Sequence, residues 1–331
     1  MGVPVARRSA VRPGSRGRGW LAGVTAASVH VFEHPSTWPV GLAGFLARGG
    51  IVLFLVPILP LPSPVGLANI VGPTAATPSG PSPEAAGIIA AVTGVLLASL
   101  LVGTAVGALT DAYLAETFEA PGEDIRLNLG LLGRLVGVRL AVLVPVGLAI
   151  AIAVGPLVEA TYRQLISPYD LATPLVSRVL REVAPSIALV VAVWLLAEIV
   201  GGLAVRSIVL RNDSMGAALG HAIGHLVRRP ASSLATTALG LAGLALAVGP
   251  PMAAASVVWS LLQALLVQSF APGSDAGLIL FVGVSLVGIW TGGLILGGIA
   301  SAWRGLLWTA ELARSEPNRR DADPDVRQGP S

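Results

Sequence analysis

The sequence predicts an all-α fold: a polytopic integral membrane bundle of about six transmembrane helices, with interfacial amphipathic helices beside them. Three observations carry this reading. Of 331 residues, 54% are hydrophobic and only 12% charged, where a soluble domain carries about 25% charged residues. The mean hydropathy is +0.79. The charges sit between long uncharged stretches, and the arginines fall in alternate loops. An ordinary soluble enzyme, a disordered chain and a nucleic-acid binder are all unlike this pattern.

The chain has no cysteine, which excludes disulfides, thiolate metal sites and thiol nucleophiles. All 21 basic residues are arginine, and the formal net charge is +3. The high isoelectric point therefore reflects arginine without lysine, and does not imply a nucleic-acid partner. No cofactor is expected.

Residues 1–19 hold five arginines and no acid, and read as a basic cytoplasmic arm rather than a cleaved signal. Residues 20–33 form a first interfacial helix, ended by Pro35. Val40 to Leu59 is the first span, interrupted by Arg48, and prolines mark its exit into an irregular outer loop over 61–83. Ala85 to Thr110 is the second span, and Asp111 to Gly133 reads as a solvated acidic loop. Leu140 to Val158 is the third span. Ser186 to Val205 is the fourth, with Glu198 inside it.

Residues 213–229 form a second amphipathic helix suited to an anionic lipid surface. Pro230 to Ser274 carries no formal charge and is too long for one span of about 20 residues. Pro250 and Pro251 are expected to break it, because proline lacks the N–H donor and clashes with the preceding turn. The break yields either one span, Ser232 to Gly249, followed by a kinked or surface helix from Met252 to Phe270, or two full spans. Gly277 to Ala302 is the last span, and residues 313–331 read as a disordered cytoplasmic tail. The membrane domain thus covers 20–312.

The positive-inside rule favours six spans over seven. Six spans with the N-terminus inside place seventeen arginines on the cytoplasmic side and three outside, with Arg48 in a span. Seven would move the tail's five arginines outside. The expected location is the cell membrane, with both termini cytoplasmic.

Small residues suggest close helix packing. Gly103 and Gly107 are four apart in the second span, and Gly288/Gly292 and Gly293/Gly297 repeat the spacing in the sixth. Such faces let backbones approach closely, so the second and sixth spans are candidates for a tight pair.

The order of spans and punctuation resembles a family of uncharacterised prokaryotic six-span membrane proteins, similar to the membrane domain of glycerophosphoryl diester phosphodiesterase. The resemblance rests on an amphipathic Trp20 to Phe32 followed by the His34-Pro35-Ser36-Thr37-Trp38-Pro39 break. It rests also on Arg206-Ser207-Ile208-Val209-Leu210, Gly216-Ala217-Ala218-Leu219 and Leu226-Val227-Arg228-Arg229 after the fourth span. It covers about residues 20–312. Arg211 stands where the family has an acidic residue, and no soluble phosphodiesterase domain is expected. The resemblance implies a membrane-embedded accessory or scaffold role without phosphodiesterase activity.

Charge at membrane depth is the first place to look for function. Arg48 lies nine residues past Pro39 and Glu198 eight before Arg206, both roughly 12–13 Å inward at 1.5 Å per residue. The matched depths make Arg48 and Glu198 a candidate intramembrane ion pair; Asp111 or Glu116 could also reach Arg48. The histidines come as two i, i+4 pairs, His30/His34 and His221/His225, which project from one face as metal ligands can. They read better as solvated interfacial histidines. No nucleotide-binding or hydrolase motif is present.

The sequence therefore points to a non-enzymatic membrane scaffold, assembly factor or accessory subunit, or alternatively to a transporter or permease subunit for a small solute. Expected partners are the lipid bilayer and a membrane protein or second copy of the chain, with no nucleic acid.

Overall fold

The computed structural model describes residues 19–55, 83–119, 129–166, 173, 175–268 and 276–314. The basic arm up to 18, the proline-rich outer loop before 83 and the tail from 315 lie outside the described residues.

All elements among the described residues are helical. In chain order they are α1 (Trp20–Glu33), α2 (Thr37–Phe45), a π-type turn (Leu46–Gly50), α3 (Ile51–Leu55), α4 (Pro83–Glu119), α5 (Leu129–Ile166), α6 (Leu175–Glu182), α7 (Ala184–Arg211), α8 (Met215–Arg228), α9 (Pro230–Gln268) and α10 (Ala276–Arg314). Six stretches are long and apolar enough to cross a membrane: Thr37–Leu55, Ala86–Glu119, Leu129–Gln164, Ala184–Arg211, Pro230–Gln268 and Ala276–Arg314. The chain is an all-α polytopic bundle, as its composition requires.

Helices α4, α5, α7 and α10 run on beyond their uncharged stretches. A helix of 39 residues, such as α9 or α10, is roughly 58 Å long, against a hydrocarbon core of about 30 Å. The second span therefore does not stop at Thr110. Helix α4 runs on to Glu119 and carries Asp111 into the bundle, where it is buried. The first nine residues of the expected acidic loop, 111–119, are thus helical. Arg206 likewise belongs to α7, and Arg304 to α10.

The expected break at Pro250 and Pro251 does not occur. Both prolines lie inside the continuous helix α9. Each proline deletes one i→i−4 bond, those to the carbonyls of Leu246 and Ala247. Within a membrane bundle such local losses are tolerated where neighbours and small backbone adjustments compensate. The sequence also supplies room: a Cβ added at Gly293 on α10 would come 2.8 Å from Cβ of Pro251. The neighbouring helix is thus bare where the proline ring projects. Pro145 and Pro156 likewise lie inside the helix α5.

The glycine faces serve a different pairing from the expected one. Gly103 packs on the carbonyl of Ala47, and Gly107 faces the Arg48 side chain. Both seat α4 against the π-type turn of the first span. Gly297 faces Phe45 and Val248, and Gly293 faces Phe54 and Pro251. The sixth span therefore closes on the first and fifth, rather than pairing with the second through these glycines. Gly41 lies as tightly against the Gly298 carbonyl as Gly103 does against that of Ala47. Gly288 and Gly292 have open space beside them.

The core is concentrated at one end, here called the closed end. There α4 and α7 finish, α5 and α9 begin, and α1 and α8 pack against these helix ends. One cluster joins Ala108, Leu135, Val138, Ile199, Leu203, Ile208, Ala222 and Trp308. A second joins Ala27 and Val31 of α1 to Leu114, Ala302 and Leu306. Trp20 and Trp38 anchor α1 by donating to Thr236 Oγ1 (3.0 Å) and to the Val31 carbonyl (2.9 Å). Toward the other end Val92, Leu96, Val144, Val158, Val257 and Phe281 are exposed, as lipid-facing residues of separate helices are.

Candidate functional site: an arginine–carboxylate hub

The site starts from a backbone break. The first span leaves helical geometry at Arg48 (φ −87°, ψ 17°) and Gly49 (φ 90°). A positive φ of this size suits glycine. The break directs Arg48 sideways to α4, and the absence of a side chain at Gly107 lets it lie flat there. Arg48 Nη2 reaches Asp111 Oδ1 at 2.7 Å and donates to the Gly107 carbonyl at 3.2 Å.

Asp111 is the centre of a larger network. Its Oδ2 accepts from Arg139 Nη2 of α5, and its Oδ1 lies 3.5 Å from Arg206 Nη2 of α7. Arg139 Nη1 in turn lies 3.9 Å from Glu198 Oε2, and Arg304 Nη2 of α10 lies 2.7 Å from Glu198 Oε1. The hub thus contains four guanidinium groups and two carboxylates, contributed by five of the six spans. The fifth span joins it through Gly240, which accommodates the aliphatic stem of Arg304.

Arg206 is the most deeply held member, with its side chain 1% exposed. It donates to the Gly202 carbonyl (2.7 Å), the Gly305 carbonyl (2.6 Å) and Thr309 Oγ1 (3.1 Å). Glycines at 202 and 305 keep those carbonyls open to a guanidinium. A buried charge is tolerable only when its donors are used this fully.

The candidate pair Arg48 and Glu198 is brought into one network, but the two do not pair directly. Arg48 is taken by Asp111, and Glu198 by Arg139 and Arg304. The matched depth was a sound guide to the neighbourhood. The partner differs because α4 continues past Thr110 and delivers a second buried carboxylate. The alternative partner Asp111 is the one realised.

A second polar corner lies at the turn between α7 and α8. Asn212 adopts a left-handed conformation (φ 56°), and Arg134 donates to its carbonyl, its Oδ1 and the Asp213 carbonyl. Arg134 thereby satisfies free acceptors at the α7 C-terminus. Asp213 Oδ2 accepts from Ser207 (2.5 Å) and meets His221 (2.9 Å). Partial burial pushes the Asp213 carboxyl up, but hydrogen bonds from Ser207 and His221, with the charges of His221 and Arg211, hold it below the usual range.

The two histidine pairs remain apart. His30 and His34 stack on each other at 4.2 Å. His225 is not solvated as expected: its side chain is 7% exposed and faces Glu311 at 3.3 Å. Glu311 also accepts from Ser232 and pairs with Arg314. Among the described residues no three histidine or acidic side chains form a group fit to hold a metal ion.

The fold and hub define a class, a polytopic all-α membrane bundle with an ionic centre. No family model, curated protein or solved structure matches this chain.

Proposed function

We propose that the chain is a non-enzymatic integral membrane protein, acting as a scaffold, assembly factor or accessory subunit. It sits as a multi-pass protein in the cell membrane with both termini on the cytoplasmic side. The observation that carries this reading is the use made of the intramembrane acids. Asp111 meets three arginines and Glu198 two, so both are bound into the packing of the bundle. A general acid or base, or a carboxylate in a proton relay, needs a proton-accessible oxygen near its substrate. The closed end also carries His225, Arg228, Arg229 and Arg314 at its helix ends, which supports a cytoplasmic position. The resemblance to six-span relatives of the glycerophosphoryl diester phosphodiesterase membrane domain agrees with an accessory role.

The reading is tested by isolating the chain from its native membrane in a mild detergent, without overexpression. A stable assembly with a defined second membrane protein or further copies is expected, and the pure chain in proteoliposomes should pass no small solutes. A solitary monomer together with saturable solute flux would contradict it. The permease reading is favoured by one observation, the broken first span at Arg48 and Gly49, since broken helices with polar groups at membrane depth line solute paths.

A further inference from the structure

The hub is not electrically balanced. Among the described residues four guanidinium groups face two carboxylates, a formal excess of two positive charges. Uncompensated charge in a low-dielectric setting is strongly unfavourable. The backbone carbonyls around Arg206 and Arg48 absorb part of that charge through hydrogen bonds. They do nothing for Arg139 and Arg304.

Donors are also left over. Arg139 Nε is buried without a hydrogen-bond partner, although both its Nη atoms face carboxylates. Arg304 Nη2 is ion-paired with Glu198 Oε1 at 2.7 Å, off the line of a hydrogen bond. The indole Nε1 of Trp308 is a second orphan donor, in a residue 2% exposed. A Cβ at Gly202 would lie 3.7 Å from both the Trp308 ring and Arg206 Nη1, which puts the indole beside the hub. Buried orphan donors are rare, and each calls for a missing partner.

The hub is closed on one side and open on another. The Arg206 and Asp111 side chains are 1% and 3% exposed, whereas Arg48 is 25% exposed. We propose that this hub is a binding site for a phosphate-type oxyanion, held chiefly by Arg139 and Arg304 and reached from the Arg48 side. The forked edge of a guanidinium matches the paired oxygens of a phosphate group, and a doubly charged phosphate would balance the excess. The group could be carried by an anionic lipid headgroup or by a free anion.

The experiment uses the full-length protein in nanodiscs. In phosphatidylcholine discs, inorganic phosphate, sulfate and chloride are titrated at constant ionic strength by calorimetry and thermal unfolding. In a second arm, phosphatidylglycerol replaces part of the phosphatidylcholine. Saturable binding of phosphate or sulfate, but not chloride, identifies a free oxyanion. Stabilisation by phosphatidylglycerol, with phosphate then competing, identifies a headgroup. R139Q and R304Q should each weaken the effect about tenfold or more, while R163Q, in an exposed pair far from the hub, should leave it unchanged. If R139Q fails to fold, R304Q carries the test. No response in either arm, an equal response to chloride, or a response that survives both hub substitutions overturns the proposal. None of these outcomes bears on whether the chain assembles with partners.

Discussion

Arg48 of the first span is paired to Asp111 of the second, 2.7 Å from Nη2 to Oδ1. The contact exists because a positive-φ glycine breaks one helix and a glycine on the other clears space for the arginine. Through Asp111 it extends to Arg139 and Arg206.

Removing the shared acid should therefore be worse than removing the more peripheral one. Breaking a buried charge network from one side costs about 3–5 kcal/mol. Asp111→Asn should lower thermal stability in detergent and membrane abundance more than Glu198→Gln does. Equal effects would contradict the central position of Asp111.

The pairing itself has a reversal test. Exchanging charges at Arg48 and Asp111 together should recover part of the abundance lost by either single change. The same exchange at Arg48 and Glu198 should recover nothing, because these two are not partners. Rescue of the second exchange would restore the direct pair that depth alone suggests.

Glycine substitutions should separate sharply by position. Gly41→Leu drives a side chain into the Gly298 backbone and should destabilise by about 3 kcal/mol or more. Gly288→Ala and Gly292→Ala meet open space and should stabilise by about 0.5–1 kcal/mol, the helix penalty of glycine. Thermal unfolding of the three variants decides the matter.

Acid should weaken the closed end through α1. Desolvation, and then the nearby His34 charge, lower the His30 pKa from 6.5 to about 4. Between these values the unfolded chain binds a proton that the folded chain refuses, so stability falls as the pH drops from about 6.5 to 4. His30→Phe should flatten that slope in pH-dependent melting curves. An unchanged slope would exclude His30 as its source.

The span count and the neighbourhood of the hub were legible in the sequence; its wiring was not. Arg48 and Glu198 stand out because each interrupts an apolar run. Asp111, Arg139, Arg206 and Arg304 sit just outside such runs and look like loop charges. Asp111 and Arg206 are buried, and Arg139 and Arg304 partly so, because the helices continue beyond the apolar stretch, and the ion pairs offset their desolvation. The signal that could have found them is this placement itself: a charge within a residue or two of a span's end, on four different spans. The Pro250-Pro251 pair misled for the opposite reason. A local rule about helix breaking was overridden by a neighbouring helix that leaves space at Gly293.

The most direct measurement is a single-cysteine accessibility map on this naturally cysteine-free chain. Cysteines at positions 76, 167, 214, 274 and 315 would be probed in intact cells with an impermeant thiol reagent. Six spans with a cytoplasmic hub end predict labelling at 76, 167 and 274 and protection at 214 and 315. Labelling at 315 would mean a further crossing within α9, and would contradict both the continuous helix through Pro250 and Pro251 and the six-span account built on it.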